Sequence, residues 1–105
     1  DLVRSRGLGD VYKEALIPPE NVYEKGTFGS LALAEKVAEM AHKEDISVEM
    51  VGLCTDICVV SNALLIKAYL PEIPISVDSS CCAGVTPEKH NAALETMRSC
   101  QINVE

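Results

Sequence analysis

Strand-like and helix-like patterns alternate three times along this chain, and the alternation limits the folds that are open to it. Short β-branched and apolar runs predict strands at residues 22–24, 48–53, 75–77 and 102–104. Helical spacing of apolar residues predicts helices over residues 31–43, 56–70 and 86–100, and residues 11–16 are compatible with a further short helix. Such alternation is typical of an α/β fold with a mostly parallel sheet flanked by helices.

Length and charge narrow the class of protein. The 105 residues make one small domain or part of a larger one, and 48% hydrophobic content with only 4% aromatics predicts an aliphatic core. The net charge of −7 and the lack of a basic stripe argue against a nucleic-acid partner. No apolar run approaches the length of a transmembrane span, so we expect no membrane partner. The sequence leaves open whether the protein forms a homo-oligomer.

The cysteines indicate a reducing compartment. Their number is five, which is odd, and Cys54 and Cys58 are separated by three residues while Cys81 and Cys82 are adjacent. Neither spacing matches the paired knuckles of a structural zinc site. We therefore predict free thiols, a cytoplasmic location and no metal held by this chain alone.

Three segments of this predicted sheet meet at one rim. Right-handed crossovers place the carboxyl ends of parallel strands on the same edge, where open α/β sheets bind ligands. Lys25 follows the first strand, residues 54–58 follow the second, and a predicted loop over residues 78–84 follows the third. We expect any ligand site at this rim.

Cys58 is the candidate nucleophile of that site. Thr55 and Asp56 stand where helix N-caps are preferred, which would put Cys58 in the first helical turn. Free amides and the helix dipole favour an anion there, so a thiolate would be stabilised. The amides of Ile57 and Cys58, with the backbone at Cys54, are natural donors to an oxyanion. A buried cysteine that only packs is the plainer alternative.

A second charged group and a proton acceptor are harder to assign. Lys25, on a glycine-flanked loop, would stabilise a thiolate or polarise a carbonyl, although a solvated surface lysine has the same pattern. Asp56 is expected to cap its own helix, and Asp78 to form a turn. His42 lies near a helix end and His90 within a helix, so neither is expected to form a Cys–His dyad.

Two motifs resemble those of the isochorismatase-like cysteine hydrolases, especially the nicotinamidases. Residues 52–59 (GLCTDICV) are similar to the nucleophile motif, and residues 23–30 (YEKGTFGS) to the segment of the catalytic lysine. Residues 78–84 (DSSCCAG), with the TPE that follows at 86–88 and His90, resemble the next strand–loop–helix of the family. The resemblance covers essentially the whole chain from Ile17 onward and implies a three-layer, Rossmann-like fold.

The resemblance also implies a mechanism. Cys58 would be the nucleophile, Lys25 would support the thiolate, and a cis peptide between Leu53 and Cys54 would aim the Cys54 and Cys58 amides at the oxyanion. Leu53 and Ile57 would line the substrate pocket. The implied substrate is a carboxamide, with nicotinamide in NAD salvage as the first candidate. Attack on it would give a thioester and release ammonia, and hydrolysis of the thioester would give the acid.

The family's catalytic aspartate and its metal ligands lie upstream of these motifs. No residue before Lys25 matches them, so we expect residues 1–105 to be the C-terminal portion of one such domain, with a first strand missing and a divalent metal such as zinc held by upstream residues. Three alternatives remain open. They are an amidase for carbamoyl or ureido groups, a non-catalytic interaction module, and a redox-sensing thiol protein. An isochorismatase proper is disfavoured, since a vinyl ether needs no cysteine nucleophile.

Overall fold

In a computed structural model, which describes residues 3–4 and 17–105, the chain is an α/β fold built on parallel strands. The strands are β1 (Val3–Arg4), β2 (Tyr23–Glu24), β3 (Val48–Leu53), β4 (Ile75–Ala83) and β5 (Asn103–Val104). The α-helices are α1 (Leu31–Lys43), α2 (Val60–Tyr69) and α3 (Pro87–Ser99), with a 3₁₀ turn at Pro19–Asn21 and a π turn at Thr55–Val59. The predicted helix over residues 11–16 falls outside the described residues.

All pairings among the described strands are parallel, as predicted. One sheet has the order β3-β4-β5, and β1 pairs with β2 separately. Helical crossovers follow β3 and β4, since parallel neighbours need a long connection. The π turn that holds Cys58 begins just after the carboxyl end of β3.

The structure corrects one boundary at the sheet. Residues 78–83, predicted as a loop after a strand at 75–77, belong to β4. The pairing with β3 shifts between Met50↔Val77 and Gly52↔Cys82, so β4 carries extra residues in a bulge. The polar run that follows Val77 has the composition of a loop, but the Ser79 amide donates to the Glu105 carbonyl at 2.8 Å and continues the strand.

Side-chain capping explains why the starts of α1 and α3 could be predicted from the sequence. The Ser30 hydroxyl accepts from the Leu33 amide at 3.1 Å at the start of α1. At the start of α3 the Thr86 hydroxyl accepts from the Lys89 amide at 3.1 Å, and Pro87 fills the first helical position.

The core is aliphatic, as the composition predicted. Its buried residues come from all three α-helices, the π turn and the sheet, and the largest fully buried apolar side chains are Ile66, Met97, Ile102, Val59 and Val77. Large apolar side chains are also exposed near the rim, where Phe28 is 64% and Leu53 65% accessible.

Candidate active site

The turn that carries Cys58 begins with an unusual backbone bond. A cis peptide joins Leu53 to Cys54, as the resemblance implied. The Cys54 carbonyl then accepts from the amides of Ile57 at 3.0 Å and Val59 at 3.1 Å. The second bond spans five residues, which makes this a π turn, wider than an α-helical one. The helix predicted from residue 56 therefore becomes regular only at Val60.

The predicted capping by Thr55 and Asp56 is wrong. Cys54 occupies the N-cap position and no side chain caps this turn. The Thr55 hydroxyl lies 2.7 Å from Nδ1 of His90 instead, and Oδ1 of Asp56 accepts from the Val85 amide at 3.1 Å. Both side chains bond to α3 or to the loop before it, so they link the π turn to α3.

Lys25 and Cys58 are brought together as the sequence predicted. The Lys25 ammonium donates to Sγ of Cys58 across 3.3 Å in a half-buried site. An ammonium at that distance stabilises a thiolate more than a thiol, because attraction acts only on the charged form. The pair places a thiol beside a positive charge where the loop that carries Lys25 meets the π turn.

Asn62 is a residue of this site that the sequence reasoning missed. It lies on α2, 1% exposed, and its Oδ1 accepts from the Ser30 amide at 2.8 Å. Its Nδ2 donates to the carbonyls of Cys58 at 2.9 Å and Phe28 at 3.4 Å. The available signal was a lone amide side chain in an otherwise apolar helical pattern, which in a buried position requires partners.

The candidate proton acceptors are engaged away from the thiol in the described part of the chain. Asp56 accepts from Val85, and His90 bonds to Thr55. Asp78 accepts from the Ser80 amide and hydroxyl, and this hydroxyl, followed by the Cys81 thiol, holds the pKa of Asp78 below its usual range. His42 is exposed near the end of α1. No described hydrogen bond joins His42 or His90 to the Cys58 thiol.

The predicted pocket residues lie beside the nucleophile in the chain. Leu53 ends β3 with its side chain largely exposed, and Ile57 is half-buried in the π turn. The cis peptide lies between Leu53 and Cys54. The roles of Leu53 and Ile57 in substrate binding, and of the Cys54 and Cys58 amides as oxyanion donors, stay predictions.

The remaining thiols differ in environment. All five cysteines are free, and Cys81 and Cys100 are exposed. Burial raises the pKa of Cys82, a shift only partly offset by a hydrogen bond from the Gly52 backbone. Across the described residues, no three His, Cys, Asp or Glu side chains are grouped so as to hold a metal ion. In the same part of the chain, no helix is long and apolar enough to cross a membrane.

Comparison with known proteins identifies the family and the fold of the chain. The family model of the isochorismatase domain matches residues 7–105. The nicotinamidase of Staphylococcus aureus is 27% identical, with a TM-score of 0.66 over 95% of this chain and 65% of that one. The nicotinamidase of Bacillus subtilis is also 27% identical, with a TM-score of 0.67 over 94% of this chain and 55% of that one.

A pyrazinamidase of Pyrococcus horikoshii, solved in complex with zinc, shares the fold at 21% identity and a TM-score of 0.67, over 83% of this chain and 52% of that one. No curated protein sequence matches the chain. The chain thus spans between about half and two thirds of the length of these three solved structures.

Proposed function

The chain belongs to the isochorismatase family, and we propose that the protein is a cysteine-dependent amidohydrolase that converts nicotinamide to nicotinate and ammonia. The observation that carries the proposal is the 3.3 Å contact between Lys25 and Cys58. Isochorismate chemistry offers no reason for a cysteine beside an ammonium, whereas attack on a carboxamide needs an ionised thiol. The two nicotinamidases with this fold support the choice of substrate.

In the proposed reaction the Cys58 thiolate attacks the carboxamide carbon. A carbon–sulfur bond forms, and the carbonyl electron pair moves to oxygen, where the Cys54 and Cys58 amides would receive it. The intermediate collapses with cleavage of the carbon–nitrogen bond, and the nitrogen leaves as ammonia after gaining a proton. Water then attacks the thioester, which releases the acid and restores the thiol, so one amide and one water give one acid and one ammonia.

The proton acceptor in this proposal is an aspartate of a strand upstream of residue 1, as the resemblance implies. The engagement of Asp56 with Val85, and of Asp78 with Ser80, supports this assignment. A general base must reach the proton within hydrogen-bonding distance, directly or through one water. We also propose that the protein works in the cytoplasm, where its free thiols stay reduced.

The described residues do not fit a resident metal, since they hold no suitable group of ligands. The zinc of the Pyrococcus horikoshii pyrazinamidase belongs to that protein. If this protein holds a divalent metal, we place the ligands upstream with the aspartate, and no step above is routed through it.

The test is ammonia release from nicotinamide by the protein at its full natural length. Cys58→Ala should lower kcat by several orders of magnitude, because the nucleophile itself is lost. Cys100→Ala, which removes an exposed thiol outside the site, should leave kcat unchanged. Equal rates in the wild type and Cys58→Ala would refute the nucleophile assignment.

A substrate panel separates the alternatives. Release of ammonia from carbamoyl or ureido compounds, with nicotinamide inert, would replace the substrate but keep Cys58. A folded full-length protein that hydrolyses none of these compounds would favour a non-catalytic interaction module instead.

A further inference from the structure

We propose that Asn62 is a positioning residue that sets the distance between the Lys25 ammonium and the Cys58 thiol; the inference rests on the function proposed above. Asn62 touches neither the Lys25 ammonium nor the Cys58 sulfur in the hydrogen bonds described here. It binds the backbone of both segments that carry them. The Lys25 loop (residues 25–30) and the π turn are thereby fastened to one side chain.

The first attachment is at the end of the Lys25 loop. Ser30 is the N-cap of α1 and 4% exposed, so its amide has no partner within the helix and little access to water. The Ser30 hydroxyl is already used on Leu33. Oδ1 of Asn62, at 2.8 Å, satisfies this amide and fixes where the loop ends.

The second attachment is at the nucleophile. Nδ2 of Asn62 donates to the Cys58 carbonyl at 2.9 Å and to the Phe28 carbonyl, within the same loop, at 3.4 Å. One amide group therefore bridges the residue that carries the thiol and the loop that carries the ammonium. No other side chain among the described hydrogen bonds joins these two segments except Lys25 itself.

The loop also lies too close to α2 to shift inward. A Cβ added at Gly29 would come within 2.6 Å of Cδ1 of Leu65 and 3.6 Å of Cβ of Ser61. Packing thus keeps the loop from moving closer to α2, and the Asn62 hydrogen bonds keep it from moving away. Without them the loop is free to move outward, which lengthens the Lys25–Cys58 contact.

Two variants test the role of Asn62. Asn62→Ala removes the side-chain hydrogen bonds to Ser30, Phe28 and Cys58. Asn62→Ser is the milder change, since a helical serine can donate to the carbonyl four residues earlier, here that of Cys58, but is too short to reach the loop. The control is Ala63→Gly on the same helix. It destabilises α2 through backbone entropy and leaves the loop bonds intact.

The first readout needs no substrate. The rate of Cys58 alkylation by iodoacetamide is measured at one fixed pH by peptide mass spectrometry, with Lys25→Ala as the reference for a lost ammonium. Alkylation should be slower in both Asn62 variants than in the wild type, approaching the rate of Lys25→Ala. Adding Asn62→Ser to Lys25→Ala should slow it no further, because the two changes remove one interaction.

The second readout is nicotinamide hydrolysis at full natural length. Misplacement of the ammonium should lower kcat by about 10- to 100-fold with a smaller change in KM. A Cys58 alkylation rate that is unchanged in a folded Asn62→Ser protein, or lowered equally in Ala63→Gly, overturns the proposal. If the wild type hydrolyses no carboxamide while the alkylation rates change as expected, the proposed function fails and the positioning role stands.

Discussion

The ammonium of Lys25 lies 3.3 Å from the sulfur of Cys58, although 33 residues separate the two in sequence. The contact is made where the chain leaves β2, in the two-stranded sheet, and where it leaves β3, in the three-stranded sheet. The two residues thus follow strands of different sheets, and the Lys25 loop and the π turn that carry them meet at this contact. The chemistry of the site therefore depends on how firmly that loop is held.

Removing the ammonium should disable hydrolysis without unfolding the protein. Lys25→Ala is expected to lower kcat for nicotinamide by about 10²- to 10³-fold, the usual loss for one preorganised electrostatic group. The matched control is Lys43→Ala. Lys43 forms an exposed ion pair with Glu39 at 3.3 Å, which contributes little to stability. Steady-state kinetics of both variants would contradict the assignment of Lys25 if the two rates matched.

A methyl group at Gly84 should destabilise the contact between the nucleophile turn and α3. A Cβ there would meet Oδ1 of Asp56, and both Cβ and the amide nitrogen of His90, at 2.9 Å each. Because the His90 nitrogen is backbone, the structure must shift, and we expect Gly84→Ala to lower the free energy of unfolding by about 1–3 kcal/mol.

Gly26→Ala is the control for that measurement, since a Cβ at Gly26 has no neighbour within 4 Å. Urea unfolding should show it to be neutral or slightly stabilising. Equal losses in the two glycine variants would mean that backbone freedom, rather than crowding at Asp56 and His90, limits position 84.

The hydrogen bond between Thr55 and His90 should contribute measurably to stability. Thr55 is fully buried, so His90→Ala leaves its hydroxyl without the partner it has at 2.7 Å. An unsatisfied buried hydroxyl costs about 1–3 kcal/mol. His42→Ala, at an exposed position, should stay within about 0.5 kcal/mol of the wild type. If chemical unfolding gives His90→Ala and His42→Ala the same free energy of unfolding, the Thr55 hydroxyl has found another partner or water.

Cys82 should ionise at higher pH in the folded protein than in the unfolded chain. Burial raises its pKa above the ordinary 9.0, so the native state holds the thiol proton longer. The resulting stabilisation is fully present below pH 9.0 and is lost as the pH rises through the native pKa. Alkylation of Cys82 should therefore need higher pH in buffer than in concentrated urea. Coinciding profiles would contradict the burial effect.

Features that depend on local chemistry could be predicted from the sequence. The starts of α1 and α3 are set by Ser30 and Thr86, whose hydroxyls accept from amides of the first helical turn, as serine and threonine commonly do. The sequence predicts that Lys25 lies near Cys58 because the carboxyl ends of parallel strands meet at one rim, and the two residues do meet, although β2 and β3 belong to different sheets. The choice of Cys58, rather than Cys54, as the nucleophile rests on its place in the turn and on the resemblance to a family, and it stays a prediction.

Features that depend on tertiary partners could not be predicted. Thr55 and Asp56 have the composition of caps, but hydrogen bonds to His90 and Val85 compete for their side chains and prevail. The polar residues after Val77 resemble a loop, and their pairing with Glu105 on one side and with Gly52 and Leu53 on the other makes them strand. Asn62 is recognisable as unusual, yet its partners lie on a loop about thirty residues away.

The attachment of both segments to Asn62 has a mechanical consequence. Because Asn62 lies on α2 and bonds to both the Lys25 loop and the Cys58 carbonyl, a small displacement of α2 would carry the Lys25 ammonium and the Cys58 thiol in the same direction. Such a displacement would change the Lys25–Cys58 distance less than it changes the position of either group relative to β3.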